Sequence, residues 1–162
     1  MDIYEFAINF EQENRAFYEE FAEKCSHTSL KSVFLNLADE ERKHENIIRQ
    51  MRDNKELDSV ESDILPKAKE AFEAISKDLP ENEIFDTEQV DVYRKAIAVE
   101  EKSIEFYTEQ AEKATDPETK AAFERLAEEE KKHEKIMRNI TEMVNRPNTW
   151  LEDAEWYHLD EY

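Results

Sequence analysis

The chain has 162 residues, 22 Lys and Arg against 42 Asp and Glu, and a formal net charge of −20, so it offers no clustered positive charge to nucleic acid or an anionic membrane. It contains no glycine and one cysteine, Cys25, which excludes a Gly-rich phosphate loop, a dinucleotide fingerprint, an internal disulfide and a four-cysteine metal module. The remainder, rich in Glu, Lys, Ala and Leu, reads as one all-helical domain long enough to bury a core; no stretch reaches transmembrane length and MDIYEF lacks the regions of a signal peptide, so the expected location is cytoplasmic.

Asp2 followed by Glu5 reads as a capping box, and Ile3, Phe6, Phe10, Phe17 and Phe21 recur at helical spacing, predicting a first helix from about Asp2 to Cys25. Cys25 itself is expected to be an inert, at least half-buried thiol. Ser26-His27-Thr28-Ser29 interrupts the pattern. Phe34, Leu37, Glu41, His44, Ile48 and Met51 then share one stripe of a second helix ending near Asp53. A connector of about thirty residues, Asn54 to Phe85, holds PKAKEAFEAISK, a short amphipathic helix with Leu65, Ala68, Phe72 and Ile75 facing inward. Asp86 or Thr87 caps a third long helix through about Ala114, and Asp116-Pro117 opens a fourth that carries Phe123, Leu126, Glu130, His133, Met137 and Ile140. Helices near 24 residues are about 36 Å long, so the connector can run the length of a bundle. The expected topology is two antiparallel hairpins joined by a long crossover, a four-helix bundle over residues 1–145, with an aromatic, acidic tail over 146–162 that packs across the bundle or onto another subunit.

One constellation occurs twice. Tyr4, Glu11, Tyr18, Glu41 and His44 are repeated as Tyr93, Glu100, Tyr107, Glu130 and His133, each 89 residues after its mate. Glu11 lies 16 residues before His27, with Glu41 and His44 14 and 17 after it; Glu100, Glu130 and His133 stand at the same distances from Asp116. Residues equally far from the turn of an antiparallel hairpin share a height, so each hairpin presents a Glu opposite a Glu-x-x-His roughly 22 Å from its turn. The i, i+3 spacing sets Glu and His on one face.

These polar residues interrupt apolar stripes. Four carboxylates converging in a core demand cations, and mixed carboxylate and imidazole donors with open positions suit redox-active iron or manganese better than closed structural zinc. A single Glu-x-x-His is common in so acidic a chain, and Glu155 with His158 in the tail is read as coincidence. The joint match of both pairs, both partner glutamates and the flanking tyrosines carries the metal reading; its alternative is a duplicated bundle with an inert acidic layer. Helical side chains lean toward the N-terminus, so Tyr18 and Tyr107 lean toward the carboxylates, to pack there or to hydrogen-bond a ligand carboxylate, while Tyr4 and Tyr93 belong to the packing.

Glu-x6-Tyr followed by Glu-x-x-His, given twice across a long crossover, resembles the ferritin-like diiron carboxylate superfamily, and within it the rubrerythrin-like proteins, over about residues 2–145. The resemblance implies two irons per chain, bridged by Glu41 and Glu130, with Glu11 and Glu100 as terminal ligands and His44 and His133 binding one iron each. It further implies reduction of hydrogen peroxide or dioxygen in oxidative-stress or iron handling. Rubrerythrins proper carry a rubredoxin module that has no counterpart here, so electrons are expected from a separate carrier such as a rubredoxin. The additional rubrerythrin glutamate would stand at position 103, where this chain has Ser103, with Asn14 in the first repeat. Bacterioferritins bind haem through a Met at the position of Arg42, so no haem is expected. A homodimer is expected; a ferritin-type storage cage, which oxidises and mineralises iron, is the rival that a hollow multi-subunit assembly would favour.

Overall fold

The computed structural model describes residues 2–78, 89–153 and 159. Six helices account for most of them: α1 Ile3–Lys24, α2 Thr28–Arg52, α3 Ile64–Asp78, α4 Val90–Lys113, α5 Pro117–Asn145 and α6 Pro147–Asp153. The all-helical, ferritin-like bundle anticipated from the sequence is the fold found.

Local chemistry sets the boundaries. The Asp2 carboxylate accepts from the Glu5 backbone N–H at 2.8 Å, and Asp116 accepts from both the backbone and hydroxyl of Thr119 at 3.2 and 2.8 Å, with Pro117 opening α5. The cap of α2 is His27, not one of the neighbouring hydroxyl residues: its Nδ1 accepts from the Leu30 N–H at 3.5 Å. Because Nδ1 accepts, Nε2 carries the proton and donates to Asp78 at 2.8 Å, tying the start of α2 to the end of α3. α1 and α4 end on extended residues, Cys25 and Ala114, whereas α2 is followed by a residue in the left-handed region, Asn54 at φ 54°, where other chains commonly place glycine. Asn54 N–H returns to Met51 O at 3.3 Å and Lys55 N–H to Gln50 O at 2.9 Å, closing the helix end.

α1 packs on α2 and α4 on α5 as two hairpins, and α3 lies against α2 and α5. α3 starts at Ile64, two residues ahead of the Pro66 that opens its amphipathic pattern; a proline in the first turn removes no intrahelical hydrogen bond. Its Leu65, Ala68, Phe72 and Ile75 are buried as the spacing predicts. α6 belongs to the tail segment and folds back onto α5, burying Trp150 edge-on against Phe72 with ring centroids 6.0 Å apart. The Asp86 or Thr87 cap lies outside the described residues.

The apolar core is divided. One cluster gathers around Tyr18, Phe21, Phe34, Tyr93 and Ile140, the other around Ile8, Ile48, Tyr107, Phe123 and Leu126. Between them on α2 stand Glu41 and His44, and on α5 Glu130 and His133, all buried.

Candidate metal centre

The two hairpins meet with their repeats in antiparallel register. Tyr18 bonds Glu100 and Tyr107 bonds Glu11, and in both pairs the residue numbers add to 118; His44 bonds Glu130 and His133 bonds Glu41, and both add to 174. A constant sum is the mark of antiparallel neighbours, so α1 runs against α4 and α2 against α5, and a local two-fold relates the halves of the site.

Glu11, Glu41, Glu100, Glu130, His44 and His133 are at most 1% exposed. They converge as two overlapping groups, Glu11, Glu41, His44 and Glu130, and Glu41, Glu100, Glu130 and His133, whose donor atoms lie within 4.8 Å of one another in each group. Glu41 and Glu130 belong to both. Each imidazole points Nδ1 at the glutamate of the opposite hairpin, 2.6 Å from Glu130 for His44 and 2.6 Å from Glu41 for His133, and the rings lie parallel with centroids 5.4 Å apart.

The layer lacks partners for its own polar atoms. Oε2 of Glu11, Glu100 and Glu130 and Nε2 of both histidines are buried without a hydrogen bond. Leaving a buried polar atom unpaired costs about 1–3 kcal/mol, more when charged. A donor set of carboxylate oxygens and imidazole nitrogens with unused lone pairs fits a hard or borderline divalent metal. Without a cation, protons take its place. Burial pushes the carboxyls of Glu11, Glu41 and Glu100 above the usual range, assisted by neighbouring carboxylates, chiefly Glu130 for Glu11 and Glu100 for Glu41. Burial pushes Glu130 up as well, but hydrogen bonding with Glu100 and the two imidazoles beside it outweigh that and hold it well below. Burial acts to lower His44, and the carboxylates of Glu130 and Glu11 overcome it to raise that imidazole well above its ordinary value.

Tyr18 and Tyr107 are both fully buried and both hydrogen-bonded to a site carboxylate, at 2.7 and 2.5 Å. Burial, followed by the nearby carboxylate charge of Glu100 or Glu11 respectively, raises both phenols well above 10.0, so they remain donors. Each serves the glutamate of the other hairpin, not the one on its own helix, because i+7 is about 10 Å along the axis. Tyr93 packs in the core against Phe21 at 4.8 Å, and Tyr4 is partly buried beside the second apolar cluster. Two further buried polar residues stand here, Asn14 and its mate Ser103, at the positions where the rubrerythrin resemblance places an additional glutamate; each follows a site glutamate by three residues, which is the signal that marks them. Glu155 and His158 lie outside the described residues.

No curated protein and no solved structure matches the chain. The rubrerythrin family model matches residues 2–141. The chain belongs to the rubrerythrin family, of ferritin-like diiron proteins.

Proposed function

We propose that this chain is a non-haem dimetal oxidoreductase that reduces hydrogen peroxide or dioxygen with electrons from a separate carrier. The observation that carries the reading is the pair of overlapping donor groups sharing Glu41 and Glu130. Under it Glu41 and Glu130, which belong to both groups, would be shared in holding two metals, Glu11 with His44 would complete one group, and Glu100 with His133 the other. Two irons per chain are the expected complement, manganese being chemically compatible with the same donors. The pair of metals, when bound, supplies two electrons and open positions for the oxidant.

The chain's own residues define the setting. Four glutamates balance the positive charge that two divalent ions bring into a core. Tyr18 and Tyr107 hold Glu100 and Glu11 in place from across the α1–α4 seam and, as protonated donors, do not add charge. The apolar clusters on either side keep bulk water from the layer. The lone Cys25 cannot form a four-cysteine redox site, and a separate carrier such as a rubredoxin is the electron donor proposed. A cytoplasmic homodimer is the form proposed; no helix among the described residues is long and apolar enough to cross a membrane.

Glu41→Ala removes a donor from both groups and is expected to abolish peroxide-dependent oxidation of bound Fe(II). Unchanged oxidation rates in that variant would sink the assignment.

A further inference from the structure

Asn14 lies in the middle of α1, three residues after Glu11 and four before Tyr18, both of which reach into the centre. At 100° per residue it stands within about 60° of each, on the site-facing stripe. It is 1% exposed, and neither Nδ2 nor Oδ1 has a hydrogen-bond partner. An asparagine inside a helix ordinarily turns to solvent or bonds a carbonyl one turn back. Asn14 does neither, and a buried carboxamide with both ends open calls for a ligand.

The register of α1 against α4, set by the two tyrosine–glutamate bonds, brings Asn14 to within one residue of the level of Ser103, close to the midpoint of the seam. Ser103 is also buried, and its hydroxyl is spent on Val99 O at 3.0 Å. Both residues are neutral, so the only carboxylates that α1 and α4 bring to the centre are Glu11 and Glu100. The hydroxyls of Tyr18 and Tyr107 are already committed to those two glutamates. On this side of the centre, the Asn14 N–H group is thus the side-chain donor left over among the described residues.

We propose that Asn14 donates from Nδ2 to a small anion entering the centre from the α1–α4 side and fixes its orientation there. The inference rests on the dimetal reading above. Azide is the probe: the full-length chain is loaded with iron, oxidised, assayed for iron per chain, and titrated with azide by charge-transfer absorption, as wild type, Asn14→Leu and Asn14→Ala. Both variants are expected to keep the wild-type iron content while azide affinity falls about tenfold or more, the scale of one hydrogen bond to a charged group. The metal-free Asn14→Leu protein is expected to melt about 2–6 °C above wild type, because an unpaired amide is replaced by an apolar side chain of similar size. Unchanged azide affinity at full iron content overturns the proposal, as does loss of iron from the variants alone, or failure of both variants to fold, which would make Asn14 a structural residue. Wild-type protein that binds no iron would instead overturn the dimetal reading, and this inference with it.

Discussion

Tyr18 on α1 donates its hydroxyl proton to Glu100 on α4 at 2.7 Å, across the seam between the two hairpins and not along its own helix. Its mate Tyr107 returns the bond to Glu11, so α1 and α4 are joined by two reciprocal links around a local two-fold. The duplicated sequence is thereby expressed as duplicated geometry. Tyr18→Phe and Tyr107→Phe each strand a buried carboxyl oxygen, and each is expected to cost about 1–3 kcal/mol. The two-fold further predicts that the two losses are equal within about 1 kcal/mol, the context scatter of such bonds. Chemical denaturation of each variant checks this; a loss from one and none from the other would break the equivalence.

The metal-free protein should show an inverted pH dependence. Glu41 and Glu100, raised well above the 4.5 near which the unfolded chain releases their protons, keep them in the fold, and His44, raised well above 6.5, keeps one as well. A raised folded value contributes stability that is fully present below the unfolded value and is lost as pH rises through the folded one. Each pH unit over which one such group holds an extra proton in the fold costs about 1.4 kcal/mol, worth about 2–4 °C at this chain length. Glu130, held low, acts in the opposite sense but only below about 4.5, outside the window. The melting temperature of the metal-free chain should therefore fall by several degrees from pH 6 to pH 8, and metal should flatten the slope by displacing the protons. A flat or rising metal-free profile contradicts the proton-filled layer.

The repeated register of Glu11, Glu41, His44 and their mates was legible because one set of spacings carries helix, face and height together, and an interval of 89 survives only if the whole bundle is duplicated. Which tyrosine meets which glutamate was not, since a spacing along one helix says nothing about its neighbour across the seam. The cap of α2 escaped for a similar reason: the tautomer in which His27 caps it is favoured by Asp78 of α3, which accepts a hydrogen bond from its other nitrogen, 51 residues away. Pro66 concealed the first turn of α3, being readable equally as the start of a helix or as a residue within its opening turn. The packing of Trp150 on Phe72 depends on the tertiary placement of α3, which the composition of the tail does not reveal.

Asn54 does the work of the glycine that this sequence lacks. At φ 54° it ends α2 and releases the chain into the crossover. Asn54→Gly is expected to be neutral or stabilising by up to about 1 kcal/mol, and Asn54→Val to destabilise by about 1–2 kcal/mol through the left-handed clash of its Cβ. Thermal melts of the pair provide the check, and a valine variant as stable as the glycine one would contradict this role.

Phe72 makes the crossover helix part of the core. It is fully buried on α3 and carries Trp150 of α6 on its ring. Phe72→Ala should cost about 3–5 kcal/mol, with cleavage by a protease accelerating first around α3 and α6. A loss below about 1 kcal/mol would mean that α3 and α6 dock without contributing to the bundle.

Under the proposed function the buried glutamates and histidines form a dinuclear centre. Anaerobic loading with Fe(II), desalting, and measurement of iron per chain tests it most directly: about two irons are predicted, falling to one or none in Glu41→Ala. A value near zero in the wild-type chain would make the repeated constellation structural, and a value far above two would point to mineral storage instead.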